Sequence, residues 1–394
     1  MHHAPGMKKT IGILAFTQVV SWGGLYYAFT ILGPHIQREM GWSPEIIYGA
    51  FSWALLVAGL ASPGVGVLLD RFGGRPVMGA GSVVCATGFL ILGTAHSQIA
   101  YFIAWTVLGI AMAMVLYEAA FATLNHAFPV GTRNAISTLT LFGGFASTVF
   151  WPLTLKLDGL IGWRDTYLLF GAVQLVLCAP LHTLMARQLP SSLQVPDPAT
   201  QAVRSYSLRE AVRHPTFWKL AFAFAANSFV FSALSVHLIP LLHEFGHSTE
   251  LAVVLAALIG PMQVAGRIGE RMFGRNAAPQ SVGKITFGIL PVALVALLLW
   301  GSQSVAAGLF CVLYGLSNGI LTIVRGTIPQ ALFGRENYGA ISGALAGPAL
   351  LAKAAGPLVN AAVVQRTASP SPIIGFLLVA AIISLACYFS AVKL

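Results

Sequence analysis

The sequence predicts an all-α polytopic membrane protein with twelve transmembrane helices arranged as two pseudo-symmetric six-helix bundles. Hydrophobic residues make up 57% of the chain and charged residues only 9%, against about 25% charged in soluble domains. The apolar residues form twelve runs, each long enough to cross about 30 Å of hydrocarbon as a helix. A charged segment also repeats at half the chain length, because GVLLDRFGGR at 66–75 returns as GRIGERMFGR at 266–275.

The apolar runs define the predicted spans, called helix 1 to helix 12 in chain order. They lie near 11–37, 46–69, 76–94, 98–124, 134–155, 165–186, 217–242, 249–269, 282–301, 304–331, 337–364 and 371–392. Most connections are short, so consecutive helices are expected to be antiparallel neighbours. The segment 188–216 is rich in proline, serine and arginine and predicts a linker. The predicted domains are therefore an N-terminal bundle (1–187), a cytoplasmic linker (188–216) and a C-terminal bundle (217–394).

The two halves align beyond the charged segment. Pro34 in helix 1 corresponds to Pro240 in helix 7, and Pro152 in helix 5 corresponds to Pro357 in helix 11. The turn after helix 1 also matches the turn after helix 7, with Gly41, Ser43 and Glu45 repeated as Gly246, Ser248 and Glu250. The offset stays between 200 and 206 residues, which chance apolar similarity would not produce. We therefore expect two homologous halves in parallel orientation.

The basic residues that give the net charge of +10 are placed according to membrane topology. This placement excludes a nucleic-acid-binding surface. With the N-terminus inside, sixteen of the 22 basic residues fall in the even-numbered connections and at the two termini. Such an excess follows the positive-inside rule and predicts that both termini are cytoplasmic. Short loops and the absence of an Asn-x-Ser/Thr acceptor fit a bacterial inner (plasma) membrane. A twelve-helix chain of this kind is expected to work as a monomer in the lipid bilayer.

Catalytic and metal-binding motifs are missing from the sequence. It contains no G-x-S-x-G, P-loop or H-E-x-x-H motif, and its four cysteines fall within apolar runs without paired spacing. We therefore predict no enzyme activity, no cofactor and no metal site. Because no nucleotide-binding module is present, uphill transport would draw on an ion or substrate gradient, which favours a secondary transporter.

The repeated segment resembles the loop between helices 2 and 3 of the major facilitator superfamily, G-x-x-x-D-R-x-G-R-K/R. The match comprises Gly66, Asp70, Arg71, Gly73 and Arg75, while Gly74 stands where the family has its first basic residue. The second copy supplies Gly266, Glu270, Arg271 and Arg275. The resemblance implies a gating role for these residues. It also implies a central cavity lined by helices 1, 4, 7 and 10, with parts of helices 2, 5, 8 and 11 at its walls.

Four ionisable residues lie inside apolar spans, where charge is costly and usually faces a cavity or a partner. Lys353 in helix 11 is interpreted either as a cation for an anionic substrate or as the partner of a buried acid. Arg325 in helix 10 is either a carboxylate clamp or part of a structural charge network. Glu118 in helix 4 is a protonatable coupling site or a member of that network. His237 in helix 7 either carries the coupling proton or is a solvated histidine near the helix end.

Polar and aromatic residues complete the predicted substrate site. Helix 1 places Gln18, Trp22, Tyr26 and Tyr27 close to one face, which is typical of either a substrate platform or helix packing. The further candidates are Asn227 in helix 7, Gln263 in helix 8 and Asn318 in helix 10.

These residues predict a secondary active transporter that works by alternating access. Arg325 and Lys353 outweigh Glu118, which favours a small organic anion such as a monocarboxylate, with proton coupling through Glu118 or His237. The Gly162–Trp163–Arg164 sequence, together with the glycine and proline content of helices 5 and 11, is similar to monocarboxylate and oxalate/formate relatives. The alternative is efflux of a drug-like or metabolite compound, bound by Glu118 and the aromatic residues of helix 1.

Overall fold

A computed structural model describes residues 6–128, 131–186, 204–274, 277–364 and 370–393. The helices of the first half are α1 (Met7–Met40), α2 (Pro44–Phe72), α3 (Gly74–Gly93) and α4 (Gln98–Ala127), followed by the bent run Thr132–Thr183. A short helix, Leu208–Arg213, precedes the second half. The helices of that half are α7 (Pro215–Glu244), α8 (Thr249–Phe273), α9 (Pro279–Trp300), α10 (Ser304–Phe333), α11 (Tyr338–Val364) and α12 (Pro370–Ala391).

The bent run Thr132–Thr183 contains two spans, α5 (132–161) and α6 (162–183). Gly162 separates them with a backbone φ of 77°, a left-handed conformation that glycine adopts without steric cost. The sequence predicted a longer connection between 155 and 165, but the helix continues to Ile161 and turns at a single residue. The short turn lets Trp163 and Arg164 begin α6 directly.

Ten helices in the described ranges are long and apolar enough to cross a membrane. That number counts Thr132–Thr183 once and does not include α11. Separating α5 from α6 and adding α11 gives twelve helices in the described ranges. Each predicted span therefore corresponds to a helix.

The chain forms two compact units. The first contains the described residues up to Leu208 together with Phe333–Gly347, and the second contains Arg209–Leu332 together with the described residues from Pro348 onward. Helix α11 therefore begins in the first unit and continues in the second. Most of the predicted linker 188–216 lies outside the described residues, so the sequence-based domain boundaries stay a prediction.

The internal repeat is visible in the backbone of the turns that precede α2 and α8. Ser43 stands immediately before α2 with φ −67° and ψ 155°, and Ser248 stands before α8 with φ −65° and ψ 155°. The Ser248 hydroxyl accepts a hydrogen bond from the Leu251 amide, as expected of a helix N-cap. Equivalent positions in the two halves thus begin their helices with the same backbone angles, although Ser43 makes no such side-chain hydrogen bond.

Within the first unit, α11 packs on α2 through glycines. A Cβ atom at Gly339 would lie 2.7 Å from the Gly66 carbonyl oxygen, and one at Gly343 would lie 2.2 Å from the Ser62 carbonyl oxygen. Gly347, one turn further on, approaches α2 in the same way. Spacing of four residues puts these glycines on one helix face, where small residues let two backbones touch. We call this contact the glycine seam.

Each unit has an apolar core of its own. In the first unit, Phe29 stacks on Phe51 at a ring-centroid distance of 4.5 Å, and both rings meet the edge of the fully buried Trp105. In the second unit, the core is formed by buried side chains of α7, α8, α9, α10 and α12. Polar side chains that remain inside these bundles therefore require a specific partner or a function.

Candidate functional site

Gln18 on α1 is held against an interruption of α4. Its side chain is fully buried, and Nε2 donates a 2.5 Å hydrogen bond to the carbonyl oxygen of Val115. Helix α4 is broken one residue later, because Leu116 has an extended backbone. Carbonyl groups at the end of a helical segment lack their usual partners, and Gln18 supplies one. Its Oε1 atom has no hydrogen-bond partner in the described part of the chain.

The predicted aromatic stripe of helix 1 forms one cluster in the first unit. A π-helical turn at Gly23–Tyr27 changes the helical register between Trp22 and Tyr27. The Trp22 ring lies 5.6 Å from that of Tyr26 and 5.1 Å from that of Tyr117 on α4, and the Tyr26 and Tyr27 rings lie 5.5 Å apart. The structure thus brings the predicted residues together and adds Tyr117 to them.

Glu118 follows the interruption of α4 directly and lies in the first turn of its second segment. Its side chain is half-buried. Its carboxylate takes no hydrogen bond and no ion pair from the residues that the structure describes. Helix N-termini stabilise negative charge, which accounts for an acid at this otherwise apolar depth.

In the second unit, Arg325 and Lys353 converge on one stretch of α7. The Arg325 guanidinium donates to the Ser228 hydroxyl and lies 5.5 Å from the centre of the Phe224 ring. The Ser232 hydroxyl donates a 2.6 Å hydrogen bond to the carbonyl oxygen of Lys353. Because Ser228 and Ser232 are one helical turn apart on the same face of α7, the structure brings the two predicted cationic residues to neighbouring positions.

Asn227 also lies on this stretch of α7. It is almost fully buried, and its Oδ1 atom has no hydrogen-bond partner within the described ranges. His237 lies further along α7, five residues beyond Ser232, and its side chain is half-buried. The structure therefore places Asn227 beside the serine that binds Arg325, and His237 more than one turn beyond Ser232.

Gln263 and Asn318 are brought together by the contact between α8 and α10. A Cβ atom at Gly319 would lie only 2.1 Å from the carbonyl oxygen of Gln263. This close approach places the backbone of Gln263 beside the residue that follows Asn318. Both polar side chains are half-buried, and their role in a substrate site stays a prediction.

Arg267 is a candidate that sequence reasoning missed, because it was counted with the basic residues that define topology. The residue is 5% exposed, and its Nε and Nη1 atoms have no hydrogen-bond partner among the described residues. It follows Gln263 by one turn of α8. A buried guanidinium without such partners is costly. Its position within the predicted span 249–269 was the signal that could have identified it.

The gating segment of the first unit fixes the start of α11. Asp70 accepts 2.7 Å hydrogen bonds from the backbone amides of Gly339 and Ala340, one on each carboxylate oxygen. Nε2 of His126 lies 3.1 Å from Asp70 Oδ1. The other members have separate contacts: Arg71 is exposed and stacks over Phe72, and Arg75 donates to the Thr183 carbonyl oxygen.

Gly73 and Gly74 are required by backbone conformation and packing. Gly73 ends α2 with a φ of 79°, in the left-handed region that favours glycine. A Cβ atom at Gly74 would lie 1.9 Å from the Thr123 hydroxyl oxygen of α4. The first basic residue of the family pattern therefore has no room at Gly74, which explains the departure noted in the sequence.

The second copy of the segment has a buried acid. A Cβ atom at Gly266 would lie 2.7 Å from the Leu316 carbonyl oxygen, so this glycine serves a close approach of α8 to α10. Glu270 is 6% exposed, and Arg271 is exposed in the last turn of α8. Arg275 lies outside the described residues.

Arg164 in the Gly162–Trp163–Arg164 sequence joins α6 to the ends of two other helices. Its Nη1 donates to the carbonyl oxygens of Gly93 at 3.1 Å and Ala95 at 2.6 Å, and its Nε donates to Glu39 at 3.1 Å. The Trp163 indole donates to the same carboxylate at 2.6 Å. These contacts satisfy carbonyls at the end of α3 and give this sequence a structural role in the first unit.

The sequence profile of the Major Facilitator Superfamily matches residues 14–357. The oxalate:formate antiporter of Oxalobacter formigenes is 26% identical over 246 residues, covering 61% of this chain and 56% of the antiporter. Human monocarboxylate transporter 11 is 28% identical over 321 residues, covering 77% of this chain and 64% of that protein. The chain therefore spans less than two thirds of the length of these two relatives.

The fold has a match among solved structures. The crystal structure of the human organic anion transporter MFSD10 (TETRAN) superposes with a TM-score of 0.75 at 16% identity, and the alignment covers 98% of this chain and 100% of that chain. This likeness confirms the predicted twelve-helix, two-bundle fold class. Family membership also makes the chain a multi-pass membrane protein of a transporter family. The profile match over most of the sequence shows that the chain belongs to the Major Facilitator Superfamily.

Proposed function

We propose that this protein is a secondary active transporter that moves a small, monocarboxylate-like organic anion by alternating access, with proton coupling. The observation that carries the proposal is the set of basic residues inside the second unit. The Arg325 guanidinium and the Lys353 backbone contact one face of α7, and Arg267 is buried in α8 with two nitrogen atoms unpartnered among the described residues. Basic residues inside a membrane protein usually face a cavity or a partner, and a negative ligand is the partner proposed here.

The chemistry of these side chains suits a carboxylate. A guanidinium presents paired N–H donors that match the two oxygens of a carboxylate, and an ammonium adds a flexible point charge. Asn227, Gln263 and Asn318 are the proposed polar groups of the same site, and Asn227 has an unpartnered oxygen among the described residues. The named relatives support the same ligand class, since they are an oxalate:formate antiporter and a monocarboxylate transporter.

The first unit supplies the remaining proposed roles. Glu118 and His237, one in each unit, are the proposed proton-coupling residues, and Gln18, Trp22, Tyr26 and Tyr27 are proposed uncharged substrate contacts. Asp70 and its neighbours in 66–75, with their counterparts in 266–275, act as the gate. The positive-inside distribution supports cytoplasmic termini in a bacterial inner membrane. We expect the protein to act as a monomer.

A second function is efflux of an amphipathic, cationic compound. The aromatic cluster around Trp22 and the nearby Glu118 favour it, because aromatic rings and a carboxylate bind organic cations. This function does not use the basic residues of the second unit, and that difference separates the two proposals.

The test is thermal unfolding of the purified protein with oxalate, formate, lactate or a lipophilic cation at two pH values. A ligand that binds only the folded state raises the melting temperature by mass action. We expect an organic anion to stabilise the wild type and to have no effect on Lys353→Ala or Arg325→Ala. Lys156→Ala, an exposed basic residue of α5, is the matched control and should keep the shift. Stabilisation by lipophilic cations alone, unchanged in Lys353→Ala, would favour efflux instead.

A further inference from the structure

Asp70 is the centre of a contact that joins three helices in the first unit. Its two oxygens accept the amides of Gly339 and Ala340, which belong to the first turn of α11. Amides in the first turn of a helix have no partner within the helix. The Asp70 carboxylate therefore caps α11, and the glycine seam extends from this cap along α2.

His126 at the end of α4 adds a titratable group to this cap. Its Nε2 lies at an ion-pair distance of 3.1 Å from Asp70 Oδ1, its side chain is 7% exposed, and neither ring nitrogen makes a hydrogen bond in the described ranges. Histidine is the side chain that changes charge between about pH 5 and 8. An added proton at this distance places a positive charge against the carboxylate, whereas the neutral ring offers at most an uncharged hydrogen bond.

Arg75, Thr123 and His126 line a cavity of about 360 Å³. The cavity provides space for water at the histidine, which a proton needs in order to reach it. Charged and titratable groups face His126 or its cap from the neighbouring elements. They are Asp70 from α2, Arg75 from α3, Arg335 from the α10–α11 connection and Tyr338 from α11.

Asp70 is the acid at ion-pair distance from His126 in the described residues, and Arg335 donates to the Asn125 and His126 carbonyls. A proton at His126 would therefore place its charge against one carboxylate, and that carboxylate holds the first turn of α11.

We propose that His126 is a proton-binding site of this protein and that its proton strengthens the Asp70 cap on α11. The sign follows from the charges. With the proton bound, His126 and Asp70 form an ion pair, and the Asp70 carboxylate stays on the first turn of α11. As pH rises and the proton leaves, this cap weakens. This site is separate from Glu118 and His237, and the proposal does not depend on which substrate is transported.

The test is hydrogen–deuterium exchange of the full chain in lipid nanodiscs without substrate. A peptide that contains Gly339 and Ala340 is followed between about pH 5.5 and pH 8, and its rates are corrected for intrinsic exchange. We expect corrected exchange in the wild type to be roughly threefold or more faster at the high-pH end, because amide exchange reports local opening. His126→Gln should remove this pH dependence, whereas His96→Gln, an exposed histidine before α4, should keep it.

Two further measurements decide the proposal if His126→Gln disturbs folding. Asp70→Asn should raise exchange at every pH and remove the pH dependence, because the charged partner is lost. Peptides from α4 report whether each variant keeps its fold. A wild-type rate that does not change with pH would overturn the proposal, and so would a pH dependence that survives in Asp70→Asn. Neither result bears on the anion proposal, because no substrate is present in the experiment.

Discussion

Gln18 on α1 and Val115 on α4 are joined by a hydrogen bond of 2.5 Å inside the first unit. The bond lies next to Leu116, where α4 loses its helical backbone, one residue before Tyr117 and two before Glu118. Gln18 therefore positions the residues that follow the interruption. Its second polar atom, Oε1, lies buried without a hydrogen-bond partner in the described residues and is available for a ligand.

We predict that Gln18→Met lowers the free energy of unfolding by about 1–3 kcal/mol, because a buried carbonyl loses its donor. The melting temperature of the purified protein measures this change. Gln18→Glu removes the same donor and adds charge, so it should be less stable than Gln18→Met. A Gln18→Met variant as stable as the wild type would show that the Val115 carbonyl does not need its partner.

A second prediction concerns Gly74, where the family pattern has a basic residue. Gly74→Arg should destabilise the protein by about 1–3 kcal/mol or more, because its Cβ would lie 1.9 Å from the Thr123 hydroxyl oxygen. The melting temperature and the expressed yield measure the effect. The double variant Gly74→Ala, Thr123→Gly should be more stable than Gly74→Ala alone, since the clashing side chain is removed. Equal stability of Gly74→Arg and the wild type would contradict this packing.

The buried guanidinium of Arg267 leads to a third prediction. Arg267→Met should leave the protein without ligand as stable as the wild type or more stable by about 1–3 kcal/mol, because it removes a desolvated charge whose Nε and Nη1 are unpartnered in the described residues. The same variant should lose the thermal stabilisation given by an organic anion. Lys156→Met, on the exposed surface of α5, should change neither quantity. A large loss of stability in Arg267→Met would instead indicate a structural role.

The sequence predicted the features that follow from a repeated residue pattern. It did not predict how deeply individual side chains are buried. The repeat of Gly41 and Ser43 as Gly246 and Ser248 predicted equivalent turns, and Ser43 and Ser248 have the same backbone angles. For Arg267 the signal was only its position within the predicted span 249–269, and a basic residue near the end of an apolar run is usually exposed at the interface. Its burial depends on how α8 packs, which is set by residues distant in the sequence.

The partners of the gating segment were likewise beyond sequence reasoning. Asp70 was expected to act in the gate, but its acceptance of the Gly339 and Ala340 amides joins residues 269 and 270 positions apart. His126 was not singled out, because a lone histidine at the end of a span has no motif around it. The helix-1 stripe did indicate a cluster, yet the addition of Tyr117 follows from the interruption of α4 at Leu116.

Arg164 provides a fourth prediction, about stability rather than transport. Arg164→Lys should lower the free energy of unfolding by about 1–3 kcal/mol, because an ammonium cannot reach Glu39 and the carbonyls of Gly93 and Ala95 together. Arg38→Lys, which loses one exposed hydrogen bond to the Pro34 carbonyl, is the control and should stay within about 0.5 kcal/mol. Equal melting temperatures for Arg164→Lys and the wild type would show that these contacts of Arg164 do not stabilise the fold.

The last prediction concerns Asp70→Asn in transport. An amide has one acceptor oxygen where the carboxylate has two, so the variant keeps at most one of the bonds from Gly339 and Ala340 and loses the charge at the start of α11. Because Asp70 belongs to the proposed gate, we expect slower transport in proteoliposomes, with substrate affinity within a few-fold of wild type. Transport rate and equilibrium binding are measured on the same preparation, using the anion found by thermal unfolding. If binding falls as much as the transport rate, Asp70 supports the substrate site itself, and its proposed role in gating is wrong.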